Sequence, residues 1–226
     1  MRLNKYLAQT LGISRREADE YISSGRVKVS HAEIVRQAGL GEQVLPEETI
    51  LVDGERVRET QNVYLALHKP VGYLSSRRSQ GGTPTLYELL PERYRMLKTA
   101  GRLDRDTSGI ILLTNDGDFA QRMTHPSYVK TKVYEAVLDR DLTPLHRQMI
   151  ADFGLQLEDG RSQLGLTMMS DRRHWEITMS EGRNRQIRRT FGSLGYEVIG
   201  LHRTQFGPYK LGGLGVGEVE EVPCVY

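Results

Sequence analysis

Three groups of residues in this 226-residue chain have the types and spacing to do chemistry. The first is Gly101-Arg-Leu-Asp-Arg-Asp-Thr-Ser-Gly109, which sets the carboxylate of Asp104 between Arg102 and Arg105. The apolar run that follows, Ile110 to Leu113, reads as a buried strand, and Asn115-Asp-Gly117 after it reads as a turn. Asp104 is therefore expected on a loop whose following segment is pinned in the core. Thr107, Ser108 and Gly109 supply hydroxyls and a free backbone position, which suit a tight, hydrogen-bonded loop. The second group is Arg183, Arg185, Arg188 and Arg189, crowded into seven residues of Glu181–Gly195. Like charges at that density repel unless anions compensate them, and a phosphate or a buried carboxylate would serve. On a helix the same stretch gives one apolar stripe, Ile187, Phe191 and Leu194. The third is Tyr134, which alternation places on one face of a strand with Ala136 and Leu138. Taken singly, Asp104 reads as half of a loop ion pair and Tyr134 as a core residue.

Taken together, the motifs say more. Gly-Arg-Leu-Asp-x-x-Thr-Ser-Gly followed by an apolar strand and an Asn-Asp-Gly turn resembles the signature of the pseudouridine synthases, in the branch that modifies ribosomal RNA and carries an N-terminal S4 domain. His68-Lys-Pro-Val-Gly72 resembles the Lys-Pro-x-Gly motif that opens the catalytic domain of that family. Lys132-Val-Tyr134 and Gly182-Arg-Asn-Arg-Gln-Ile-Arg188 resemble two further family motifs. The resemblance implies Asp104 as the catalytic carboxylate, Tyr134 against the target base, and Arg188 paired with Asp104. A near opposite charge keeps a carboxylate ionised. The reaction it implies breaks the bond from ribose C1′ to uracil N1, turns the base and joins C1′ to C5. Asp104 would act as nucleophile or base at the sugar; both routes stay open. No metal or cofactor is expected.

The start of the chain resembles an S4 RNA-binding module: Arg2-Leu-x-Lys5-x-Leu-Ala, then Ser14-Arg-Arg-Glu-Ala18, then Gly25-Arg-Val-Lys-Val29. Residues 2 to about 10 read as a helix with Leu3, Leu7 and Ala8 on one face, stopped by Gly12. Ser14 and Glu17 form a capping box for a second helix carrying Ala18, Tyr21 and Ile22, with Gly25 as its C′ residue. Arg15 and Arg16 lie in that helix's first turn, where the dipole disfavours cations, so an anion at the helix N-terminus is expected to compensate. Where the module carries Asn-Gly, this chain has Ser30-His31, and a longer hairpin is expected across Ala32 to Gln43.

Composition fits a soluble globular protein, either a cytoplasmic enzyme or an RNA-binding protein. Formal net charge is only +2, but Met1 to Ser30 carries +3 and His31 to Thr60 carries −4, a local footprint for phosphate. The one cysteine, Cys224, allows no internal disulfide, and the six histidines have no ligand spacing. The longest apolar run, Val63 to Leu67, is too short to span a bilayer, and the N-terminus has no signal-peptide core. The resemblance implies a basic C-terminal extension in many members of the family; with Tyr226 as the last residue here, no RNA affinity is expected from that source.

Further along, Ser75 to Gly82 reads as a basic loop and Thr85 and Glu88 as a second capping box. A helix is expected over Asp118–Met123 and another from Thr143-Pro144 to about Phe153. His174–Met179 alternates so as to bury Trp175, Ile177 and Met179. The expected fold is α+β: a small S4-like α/β domain over residues 1–60 and a catalytic domain over 63–226 on a mixed, largely antiparallel sheet. The expected function is isomerisation of a specific uridine in ribosomal RNA by a cytoplasmic monomer with no membrane partner. RNA contacts are expected from Arg2, Lys5, Arg15, Arg16, Arg26, Lys28, Lys69, Arg77, Arg102, Arg105, Arg183, Arg185 and Arg189. The alternatives are a non-catalytic RNA-binding or ribosome-assembly protein and a transfer-RNA-directed synthase.

Overall fold

A computed structural model describes residues 1–58 and 60–225. Glu59, beside the expected domain joint, and Tyr226 lie outside the described residues. The chain divides into two compact units. One is Met1–Val63 with Met96–Lys98 and Thr114–Gly117; the other is Tyr64–Arg95, Thr99–Leu113 and Asp118–Tyr226.

In the first unit, helices α1 (Leu3–Thr10) and α2 (Arg15–Ser23) pack over a sheet of β1 (Val27–His31), β2 (Ile34–Gln37), β3 (Thr49–Val52) and β4 (Glu55–Arg56), ordered β2-β1-β3-β4. Leu3, Leu7, Ala18, Ile22, Val27, Val29 and Ile50 form its core, as the helical and strand periods require. Both halves of the Ser14–Glu17 capping box are made. The β1–β2 hairpin corrects one expectation. His31 pairs with Ile34, so the connection is only Ala32 and Glu33, at φ of 46° and 68°. Two residues of positive φ make a tight hairpin turn whose twist suits the strands, even without the usual Asn-Gly.

The second unit is built on a sheet ordered β11-β12-β8-β13-β7-β5-β15, with β14 (Tyr209–Lys210) on β13 and β6 (Lys98–Ala100) on β7. Here β5 is Tyr64–Lys69, β7 Ser108–Thr114, β8 Lys132–Leu138, β11 Gly165–Met168, β12 His174–Met179, β13 Val198–Phe206 and β15 Val219–Glu221. A separate two-stranded ribbon joins β9 (Leu155–Leu157) and β10 (Gly160–Ser162). The helices are α3 (Gly117–Thr124), α4 (Pro144–Gln148, continued by a π turn to Phe153) and α5 (Gln186–Gly192). The protein is thus α+β.

Ile110, Ile111, Leu112 and Leu113 are all fully buried, so β7 is covered on both faces. One of those faces meets Phe119 and Met123 of α3 in the core. Strand β13 lies between β8, with which it runs antiparallel, and β7, with which it runs parallel. Arg203 is therefore the cross-strand neighbour of Tyr134 on one side and Gly109 on the other. At Gly109 the backbone has φ of +113°, and a Cβ would run into the backbone of Arg203. Glycine is required here by both conformation and space. Gly109→Ala should weaken folding by about 3 kcal/mol or more, from a forbidden φ and a forced strand separation. The urea midpoint, with circular dichroism as readout, measures the loss.

Candidate active site

The loop between β6 and β7 carries Asp104, and its shape is set from beneath. Lys69, the last residue of β5, is 0% exposed, a rare state for lysine. Its Nζ donates to the backbone carbonyls of Pro70 (3.0 Å), Asp104 (3.1 Å) and Thr107 (2.8 Å). An ammonium has three donors and all three are used on or beside this loop. Burial pushes the Lys69 pKa down to about 8, against the pull of the Asp104 and Asp106 carboxylates. From the side, the Ser75 hydroxyl donates to the Leu103 carbonyl and accepts from the Leu103 N–H. Lys69, expected to touch RNA, is thus a structural residue: no phosphate can reach an ammonium that is fully enclosed and fully bonded.

So held, the Asp104 carboxylate is 30% exposed and stands at the edge of a cavity of about 610 Å³. Asp104, Thr107, Tyr134, Met179, Arg185 and Arg203 are among its lining residues. Tyr134 is 8% exposed, and its hydroxyl has no partner among the described residues. Arg203 is 2% exposed and was not singled out from sequence. Its Nε donates to the Ile110 carbonyl at 2.9 Å, its guanidinium lies 4.6 Å from the Phe206 ring centre and 6.0 Å from that of Tyr134. One of its terminal nitrogens is buried without a hydrogen-bond partner. The signal in the sequence was alternation: Arg203 falls on the same buried face of the strand as Leu201, between the less buried His202 and Thr204.

Arginine placement departs from expectation. The residue nearest the Asp104 carboxylate is Arg185, with nitrogen and oxygen 3.9 Å apart, and not Arg188. The reason is local geometry. Helix α5 starts at Gln186, and Arg185 caps it in the left-handed region, φ 45° and ψ 32°, outside the helical repeat. Arg188 stands one turn inside. It donates to the Asp106 carbonyl at 2.8 Å and to the Val198 carbonyl, with its Nε 3.3 Å from the Asp106 carboxylate. Arg185 also grips Asp106 in a bidentate pair, both contacts at 3.1 Å. Burial raises the Asp106 pKa, but the Arg185 hydrogen bond and the charges of Arg188 and Arg185 outweigh it and leave it below the ordinary value.

The rest of the basic cluster is likewise bound to protein. Arg183 donates to Asp159 and Glu181 and to the carbonyls of Gly160 and Arg161. Arg189 donates to Asp159 at 2.6 Å and to the Asn184 carbonyl. The anions that make the four-arginine crowding tolerable are Asp106 and Asp159, two guanidiniums to each, so Arg183 and Arg189 are committed before any RNA arrives. By contrast, the side chains of Arg102 and Arg105 are exposed and have no partner among the described residues. Arg77 is exposed and lies over the Tyr87 ring at 4.9 Å. In the first unit Arg2, Arg15, Arg16, Arg26 and Lys28 are exposed and Lys5 is half-buried. Arg26 pairs with Asp53 and stacks on Tyr21. Among the described residues, no cluster of three His, Cys, Asp or Glu could hold a metal ion, and no helix is long and apolar enough to cross a membrane.

Comparison with known proteins bears directly on this geometry. The family model described as RNA pseudouridylate synthase matches residues 63–193, more than half of the chain. The chain belongs to the RNA pseudouridylate synthase family. The S4 domain model matches residues 1–33. An uncharacterized RNA pseudouridine synthase of Aquifex aeolicus is 39% identical over 218 residues, covering 93% of this chain and 87% of that protein. The ribosomal large subunit pseudouridine synthase B of Bacillus subtilis is 35% identical, covering 98% of this chain and 91% of the relative. The ribosomal small subunit pseudouridine synthase A of Yersinia pestis is 34% identical, covering 93% and 89%. Among solved structures, a pseudouridylate synthase superposes with a TM-score of 0.69 at 31% identity, over 99% of this chain and 96% of that one. The synthase is therefore an isomerase acting on RNA.

Two outcomes test the loop's supports. The folded Lys69 pKa, about 8, lies below its ordinary 10.5. Between those values the unfolded chain keeps a proton that the folded chain has released, so this group makes stability rise with pH across that window. The neutral amine has two donors for three carbonyls, so turnover should fall above about pH 8 with no matching fall in the urea midpoint; a rate that stays flat to about pH 9 contradicts this. Second, Arg185→Ala should lower kcat about tenfold, equivalent to ~1.4 kcal/mol, with little effect on folding. Arg188→Ala, which strips donors from two carbonyls, should instead lower stability by ~2–3 kcal/mol. Kinetics and denaturation on both variants separate the two roles.

Proposed function

We propose that this synthase isomerises a specific uridine in ribosomal RNA, with the reacting nucleotide seated in the cavity between Asp104 and Tyr134. The observation that carries the reading is the arrangement itself: a partly exposed carboxylate, a guanidinium 3.9 Å away and a tyrosine on the lining of one 610 Å³ cavity. That volume is in the range of ligand clefts and admits one everted base. Asp104 acts at the ribose, as nucleophile at C1′ or as base. Arg185 supplies the positive charge beside it, and Arg188 positions the loop through Asp106. Tyr134 stacks on uracil, and its unpartnered hydroxyl is available to help remove the C5 proton once C1′ has joined C5. Nothing is oxidised and no water is consumed. Turning the uridine out of its stack costs a few kcal/mol, offset by stacking on Tyr134 and by phosphate contacts.

Ribosomal RNA is supported by the two relatives whose names state a ribosomal substrate, one for each subunit. Residues 1–60 act as the RNA-binding module, supported by the S4 match and by the exposed Arg2, Arg15, Arg16 and Lys28; residues 63–226 act as the catalytic domain. The protein works where ribosomal RNA is, in the cytoplasm.

The test is incubation with unmodified large- and small-subunit ribosomal RNA transcripts followed by chemical mapping of pseudouridine. One discrete new site is expected, with its formation slowed ~10²-fold or more in Asp104→Asn while RNA affinity is retained. No new site in either transcript, or full activity in Asp104→Asn, refutes the reading.

A further inference from the structure

A second, smaller cleft lies between the Asp104 loop and the segment Leu74–Gln80. Its volume is about 320 Å³, and it is lined by the loop, by Leu74, Ser75, Ser76 and Gln80, and by Arg185. Arg102, Leu103, Asp104 and Arg185 line both this cleft and the larger cavity, so the two chambers adjoin at these residues. We infer that the smaller cleft is a subsite for the phosphodiester that joins the target uridine to its neighbour in the RNA chain. The inference rests on the reading that Asp104 meets the target ribose. A ribose at that junction has its base in the large cavity, and its backbone must leave past the same carboxylate.

The lining has the chemistry for this occupant. Three guanidiniums, Arg102, Arg105 and Arg185, face two carboxylates, Asp104 and Asp106, which leaves one positive charge over. One phosphodiester carries the matching negative charge. Arg185 is spent on Asp106. Arg102 and Arg105 have no side-chain partner among the described residues, and neither does the Gln80 amide. Guanidinium forks suit phosphate oxygens. The wall is also firm. The Ser75 hydroxyl makes both its bonds to Leu103, the Ser76 hydroxyl is tied to the Arg78 carbonyl, and the Gly72 N–H donates to the Arg105 carbonyl at 2.7 Å. Arg105 therefore presents a free side chain from a fixed backbone, which limits what binding must order. Arg105 lines only the smaller cleft. Its substitution probes this chamber without touching the lining of the larger one.

Two measurements on the full chain decide the matter. The first is filter binding to an unmodified ribosomal RNA transcript over a range of KCl concentrations. Arg105→Ala should flatten the slope of log affinity against log salt by the share of one phosphate, ~0.7 for a single strand. The second uses RNA fragments carrying the mapped uridine, with one neighbouring phosphate at a time replaced by an uncharged methylphosphonate. At one position the replacement should raise KM several-fold for the wild type and no further for Arg105→Ala. An unchanged salt slope overturns the inference, and so do two losses that multiply at every position. If the wild type forms no pseudouridine at all, the uridine reading has failed, and the salt slope still reports on the cleft.

Discussion

A buried ammonium with three carbonyl ligands is the constraint on which this site depends. Enclosing a charge is expensive unless its hydrogen bonds are replaced, and here Lys69 has them replaced by Pro70, Asp104 and Thr107. Two of those three carbonyls belong to the loop that presents the acidic side chain. The loop is thus shaped around a cation at the end of β5, and the following Ser108-Gly109 can enter the sheet in register with His202-Arg203. Backbone carbonyls, rather than carboxylates, ligate the lysine, so the Asp104 side chain stays free of it and faces the cavity.

The same separation of tasks runs through the arginines. Four guanidiniums in seven residues would be unstable beside one another without counter-charges, and Asp106 and Asp159 each take two. Asp106 has the more consequential position. It holds Arg185 and Arg188 at once, two residues from Asp104, and so decides which guanidinium is left within reach of the neighbouring carboxylate. A charge change at Asp106 would release both arginines and alter the setting of the Asp104 carboxylate.

Much of this could be read from residue types and spacing. The Ser14–Glu17 and Thr85–Glu88 boxes form as written, because capping is a local hydrogen-bond pattern. The alternation in Tyr134–Leu138 and His174–Met179 gives the observed burial, because period two has one solution once a face is covered. Asp104 and Tyr134, far apart in the chain, both line the cavity. What the sequence did not yield are facts of long-range placement. Nothing local says that a lysine beside proline is enclosed by a loop 35 residues on. The exchange of Arg188 for Arg185 turns on one residue in the left-handed region, which helical periodicity does not encode. Arg203 gains its place only when β13 inserts between β8 and β7, an order set by packing and not by neighbours in the chain. The tight turn at Ala32-Glu33 was missed because neither residue is a usual carrier of positive φ.

That insertion has a consequence for synthesis of the protein. Strand β13, near residue 200, must slip between strands made some sixty and ninety residues earlier. While the nascent chain grows, β7 can pair with β5 and β6, but β7 and β8 have no shared partner between them. Contacts of such sequence separation form slowly, and unpaired strand edges in the interval invite misassembly. The N-terminal helices and hairpin, by contrast, close over short spans and can be in place early. The molecule is thus born with its front end finished and its chemistry unassembled until the last third of translation.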